Sequence, residues 1–317
     1  RQQSNGTWAA GAELNDIIFA MCYAAEKNCS VLNMSLGFTS SDESLKAFME
    51  ELTTELSEKN DMVIVAAAGN EGKNSPSVPA LCSNVLSVAS VSDITAPNIS
   101  DKTISNRPWT VDNTTRSSFS NYGPWCNIAA PGEAIMSTLF YQGTQDTYGY
   151  MSGTSMAAPA MAGLSALVLQ YIEDQNLTEQ TGLSARALAQ ALLMSTAKPL
   201  TEENGLPYSP RKQGAGLANA YEATSAQSYL LVGAVSGNDG KVKMELGDDP
   251  DRTGSYRFTF TVYNLSPEPK TYAFGSDVLT ESVETVDGVR YMAESSYALT
   301  PQVRFAVSSM PYDLTGD

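Results

Sequence analysis

Met62-Val63-Ile64-Val65-Ala66-Ala67-Ala68-Gly69-Asn70 is the stretch that decides the fold. Seven consecutive apolar residues with a β-branched centre, stopped by glycine and a polar amide, predict a strand buried on both faces. Strands of that kind belong to parallel sheets, which need helical crossovers. The flanks supply them. Upstream, Leu14, Ile17, Ile18, Met21, Cys22 and Ala25 recur at helical spacing over residues 11–27, and Val31-Leu32-Asn33-Met34 is a short apolar run suited to a buried strand. Leu45, Phe48, Met49, Leu52 and Leu56 return to helical period across 43–59, and Val85–Val91 reads as a further strand. This α, β, α, β order implies a parallel sheet covered by helices.

Further along, residues 93–116 are polar, contain Pro97 and Pro108, and read as a surface loop. Residues 119–139 hold short extended pieces with turns at Gly123-Pro124 and Pro131-Gly132. Helices are predicted near 155–172 and 183–196, then an irregular Pro- and Gly-rich closing segment over 199–216, then a last helical turn or two over 218–226. Beyond that point the period becomes two. Val242, Met244 and Leu246 alternate with charged neighbours, Tyr256, Phe258, Phe260 and Val262 repeat the pattern, and Val303, Phe305 and Val307 repeat it again. With turns at Gly237, Gly247 and Gly254, this predicts an antiparallel β-sandwich. The expected organisation is an α/β parallel-sheet domain over 1–228 and an incomplete β-sandwich over 229–317.

The chain has 317 residues, 42% hydrophobic and 17% charged, so a packed core is expected rather than disorder. The net charge of -16 comes without a basic stripe, which argues against a nucleic-acid partner and for simple solubility. No uninterrupted apolar run reaches the roughly 18 residues of a membrane helix; the longest candidate, Met156–Leu169, is short and rich in small residues. The chain starts at Arg1 without Met or a signal peptide, and both ends read as cut, so targeting signals are expected outside it. Sequons at Asn5, Asn28, Asn33, Asn98, Asn113, Asn176 and Asn264 favour a secreted or cell-surface chain. The four cysteines show no C-x-x-C spacing and there is no histidine, which argues against a zinc site.

Three segments carry chemistry. In Gly153-Thr154-Ser155-Met156-Ala157-Ala158-Pro159 a serine follows a glycine turn at the start of an apolar helix. A helix N-terminus offers unpaired N–H groups and a positive dipole end, which suits a nucleophile beside an anion-stabilising donor. Taken alone, the same heptad reads equally well as an N-cap serine on a core helix. Asn70, directly after a buried strand, lies where α/β sites form and carries an amide able to donate to a developing oxyanion; alone it reads as a turn residue. Asn33-Met34-Ser35-Leu36-Gly37 ends a strand in a way that offers backbone groups to an extended peptide.

In this order, together with Phe119-Ser120-Asn121-Tyr122-Gly123-Pro124 and Ala129-Ala130-Pro131-Gly132, these segments resemble the subtilisin-like (S8) serine peptidases over residues 31–163. The resemblance implies Ser155 as acyl-forming nucleophile and Asn70 as side-chain donor of the oxyanion hole, with the Ser155 N–H as second donor. It also implies Ser35, Leu36 and Gly37 as the strand pairing with substrate, and Ala67 and Gly69 as a pocket wall. Thr154 is placed with the substrate-binding residues. Tyr208–Gly216 followed by a β-region resembles the lactocepin and C5a-peptidase-like branch, whose fibronectin-III-like domain corresponds to the stretch from Tyr256 to Tyr272. Two departures stand out. Ala160 occupies the position of a usual non-catalytic histidine, and the interval from Asn70 to Ser155 leaves out the protease-associated insert common in that branch.

A serine hydroxyl needs a base, and the chain has no histidine. In the subtilisin order Asp and His precede Ser, so both are expected upstream of Arg1. The resulting expectation is a secreted serine endopeptidase acting on proteins or peptides; the alternative is an inactive scaffold serving surface binding or adhesion. The resemblance also implies that the loops of Cys82 and Cys126 lie side by side, hence a disulfide between them. Cys22 and Cys29 straddle a helix end and pair only if that helix stops early. No cofactor is required. Family members often bind calcium, but no acidic ligand loop is recognisable, and no metal ligand is assigned.

Overall fold

A computed structural model describes residues 12–93, 114–139, 147–232, 240–273, 275–286 and 288–299. Its centre is a sheet built from β1 (Val31–Met34), β2 (Val63–Ala67), β3 (Val85–Asp93), β4 (Thr114–Arg116) and β5 (Ile128–Pro131). β1, β2, β3 and β5 run parallel, and short β4 pairs antiparallel with the end of β3. All five residues of β2 are buried, as its unbroken apolar run requires. Val63, Val65 and Ala67 face one core cluster, Ile64 and Ala66 the other.

Helices cover both faces. α1 (Leu14–Glu26) and α2 (Glu43–Lys59) put Met21, Met49 and Leu56 against Ile64 and Ala66. α2 starts where Asp42 caps it, its carboxylate accepting the Ser44 N–H at 2.9 Å. On the other face, α3 (Thr154–Asp174) and α5 (Ala185–Ser195) bury Met161, Val168, Leu188 and Leu192 with Val63 and Val65. α5 is started by Ser184 and by Asp61, whose carboxylate takes the Ala185 and Arg186 N–H groups at 2.9 and 3.0 Å. α3 is long and apolar enough, by length and composition, to cross a membrane. Here it packs across β1, β2, β3 and β5 and buries Thr154 and Ser165, which makes it the central helix of the domain.

β6 (Ile135–Leu139) and β7 (Thr147–Met151) form a hairpin ahead of α3. After α3, short helices α4 (Leu177–Thr181), α6 (Pro210–Gln213) and α7 (Ala220–Ala223) flank α5 and the closing segment. β8 (Ser228–Val232) pairs antiparallel with β9 (Phe260–Asn264), and β10 (Leu279–Val286) with β11 (Val289–Ala298). These are separate two-stranded sheets. Residues 242–246 and 256–259 alternate as expected but form no strand, and 303–307 lie outside the described residues.

The expected Cys82–Cys126 disulfide is not formed, and all four cysteines are free thiols. Cys82 packs with Met49, Met62 and Val85, whereas Cys126 sits in a separate cluster with Ala89, Leu200 and Leu217. Burial pushes both thiols up to about 11. Cys22 and Cys29 stay apart because α1 continues past Cys22 to Glu26.

Candidate active site

The parallel order places the carboxyl ends of β1, β2 and β5 on one edge of the sheet, the edge where open α/β sheets form sites. α3 begins there. Its N-cap, Gly153, donates its N–H to the Gly132 carbonyl at 2.8 Å, which hangs the turn before Ser155 on the end of β5.

Thr154 joins this turn to the end of β2. Its hydroxyl accepts the Gly69 N–H at 3.0 Å. Its N–H and its hydroxyl both donate to Asn70 Oδ1, at 2.8 and 2.9 Å. Thr154 is fully buried and Asn70 is exposed. With the amide oxygen held inward by two bonds, Asn70 Nδ2 has no hydrogen-bond partner among the described residues and remains available to a ligand.

Ser155 is partly buried in the first turn of α3, where backbone N–H groups have no intrahelical partner. Its carbonyl accepts the Ser35 hydroxyl at 2.8 Å, and Ser35 Oγ accepts from Asn33 Nδ2 at 3.1 Å. Ser155 Oγ itself makes no hydrogen bond among the described residues. Ser155, Thr154, Asn70, Gly69 and Ser35 therefore form one bonded cluster drawn from three segments of the chain.

The other expected residues lie around it. Leu36 and Gly37 follow Ser35, and Leu36 is 36% exposed. Phe38 fixes this segment by a two-way backbone bridge to Val78, at 3.0 and 2.9 Å. Ala67 is 5% exposed and packs in the core facing α3. Asn121, in the Phe119–Pro124 segment, is a further participant whose role no local sequence pattern indicates. It is fully buried and binds the loop that carries Asn70. Among the described residues no group of three His, Cys, Asp or Glu side chains is placed to hold a metal ion.

A model of the subtilase family, peptidase S8, matches residues 4–216. The chain belongs to the subtilase family. It is 37% identical over 172 residues to the thermophilic serine proteinase of Bacillus sp. (strain AK1), covering 53% of this chain and 36% of that protein. To thermitase of Thermoactinomyces vulgaris it is 35% identical over 164 residues, 52% of this chain and 47% of that one. To the C5a peptidase of Streptococcus pyogenes it is 32% identical over 206 residues, 63% of this chain and 16% of that one. The chain thus spans less than half the length of each of these relatives. Among solved structures it resembles the prenylagaramide maturation protease PagA, at 21% identity and a TM-score of 0.51 over 69% of each chain, a likeness of fold.

Proposed function

We propose that this subtilase chain is the nucleophile-bearing part of an extracellular serine endopeptidase. Ser155 Oγ attacks the peptide carbonyl carbon while a base takes its proton. The base, a histidine, and its aspartate are supplied upstream of Arg1. The tetrahedral oxyanion is held by Asn70 Nδ2 and the Ser155 N–H. The C–N bond then breaks, the base returns its proton to the leaving amine, and water releases the acyl group from Ser155 by the reverse sequence. Ser35, Leu36 and Gly37 pair with the substrate backbone, Ala67 and Gly69 wall the adjoining side-chain pocket, and Thr154 fixes the donor amide.

The observation that carries this reading is the Asn70 carboxamide, whose oxygen accepts at 2.8 Å from the N–H of the residue preceding Ser155, leaving its own N–H groups without a partner among the described residues. The exterior of the domain supports an upstream occupant. The outer edge of β1 is unpaired among the described residues, and Pro159, Ala160, Gly163, Ala166 and Leu167 leave an exposed stripe of small and apolar residues along α3. A further strand and helix would cover both. Residues 229–317 are read as a fibronectin-III-like packing module that follows the peptidase domain.

A fluorophosphonate probe on the protein that includes the region upstream of Arg1 is expected to label Ser155, and Ser155→Ala is expected to abolish labelling. The 317-residue chain alone is expected to hydrolyse nothing efficiently, because it has no histidine. Labelling that survives Ser155→Ala would overturn the nucleophile assignment. That same lack of histidine favours the second reading, an inactive scaffold used for surface binding. Absence of Asp-Thr/Ser-Gly and His-Gly-Thr-His sequences upstream of Arg1 would select it.

A further inference from the structure

We infer that Asn121 is the positioning residue that aims Asn70, an inference that rests on Asn70 being the oxyanion donor. Asn121 lies 50 residues from the loop it controls and is 0% exposed. Its Oδ1 accepts the N–H of Glu71 at 2.8 Å and that of Lys73 at 3.4 Å. Its Nδ2 donates to the Ser75 carbonyl at 3.0 Å and to the Glu71 carboxylate. Its backbone N–H donates to the Gly69 carbonyl at 2.9 Å. Gly69 and Glu71 are the two neighbours of Asn70, so one side chain and its own amide fix the chain immediately before and after the donor.

The anchor is itself held. Ser120 Oγ accepts the Ser90 N–H of β3 at 3.0 Å, and Phe119 O accepts the Gly72 N–H at 2.7 Å. The fit leaves no slack at Gly69. Its φ of +108° belongs to the region that favours glycine, and a Cβ there would collide with Asn121 Nδ2. Only an amide supplies both the acceptor that two N–H groups need and the donor that a carbonyl and a carboxylate need. Aspartate would keep the acceptor, lose the donor and set a second carboxylate against Glu71.

A misplacement of about 1 Å in a catalytic group costs on the order of 100-fold in rate. In the protein that includes the upstream region, assayed with a peptide anilide, Asn121→Ala is expected to lower kcat by about 10- to 100-fold with KM little changed. The decisive comparison is with Asn70→Ala. If Asn121 acts through Asn70, the double variant turns over no more slowly than Asn70→Ala alone; losses that multiply would overturn the proposal. Asn121→Asp serves where the alanine variant does not fold. It is expected to lose kcat and to regain part of it when Glu71→Gln is added, and wild-type turnover in Asn121→Asp would equally overturn the proposal. A fully active Asn70→Ala would instead refute the oxyanion reading on which the inference rests.

Discussion

The sheet around β2 and the strands after β7 of the chain's C-terminal third carry equally regular sequence patterns, yet they specify structure to different degrees. β2 is apolar on both faces, and each face has a helical layer to receive it. Residues 256–260 are apolar on one face only, and Tyr256, Phe258 and Phe260 remain 51%, 45% and 41% exposed. Phe258 and Phe260, with Val242, Met244 and Leu246, line an apolar groove of about 560 Å³. β8 stands between the two cases. Its Tyr229 and Leu231 enter the main core, and Tyr229 stacks on Tyr263 of β9 with ring centroids 4.9 Å apart. Two-sided burial fixes a strand within its own domain, whereas one-sided alternation fixes a face and leaves the partner to be found elsewhere.

The largest effect that tests this contrast is a paired truncation. Ile64 is 0% exposed, so Ile64→Ala is expected to cost about 2–5 kcal/mol through lost burial and a residual cavity. Phe258→Ala, at a half-exposed ring, is expected to cost about 1 kcal/mol or less. Urea midpoints of the two variants decide it. Equal losses would mean that the C-terminal strands are as fully packed as the sheet.

A smaller effect is expected where the two regions meet. Lys241 Nζ donates to the Val85 carbonyl at 2.6 Å and to the Ser83 carbonyl, and Lys243 Nζ to the Cys126 carbonyl at 3.4 Å. The charged half of the 241–246 alternation thus reaches the sheet domain, while Val242, Met244 and Leu246 face the groove. Lys241→Met keeps the stem and removes the donors. It is expected to cost about 2 kcal/mol and to speed proteolytic release of the region beyond residue 240. An unchanged cleavage rate would show that Lys241 does not tie the regions together.

Legibility follows the same division. The helix over 43–59 and the strands around 31–34, 63–67 and 85–91 were readable because period and burial agree within each segment. Ser155, Asn70 and Ser35 lie at or just beyond the ends of such elements, and the structure joins them in one hydrogen-bonded cluster. The 242–246 alternation predicts a ladder, but the segment forms no strand, and its lysines bind carbonyls about 120 to 160 residues away in sequence. The role of Asn121 is not legible in the sequence, since nothing local says that a buried amide will hold a loop 50 residues earlier. The Cys82–Cys126 pairing failed for a related reason. Adjacent loops do not ensure that two side chains enter the same cluster, and here they enter different ones.

Cys126 offers the finest test of the junction, through pH. Burial is the largest influence on its thiol and raises it, while the Lys243 and Arg116 cations act in the opposite direction; the balance stands at about 11. A cysteine ordinarily titrates at 9.0. The folded pKa is the higher one, so the contribution to stability is complete below about pH 9 and is lost as pH rises toward 11. At pH 9.5 the loss for this one thiol is about 1 kcal/mol. Cys126→Ala removes that slope, so the difference in urea midpoint between it and the parent should shrink from pH 7.5 to pH 9.5. Lys243→Met should carry the parent's decline on to higher pH, because the cation that favours the thiolate is gone. If the Cys126→Ala difference is the same at both pH values, the thiol is not held in a desolvated site.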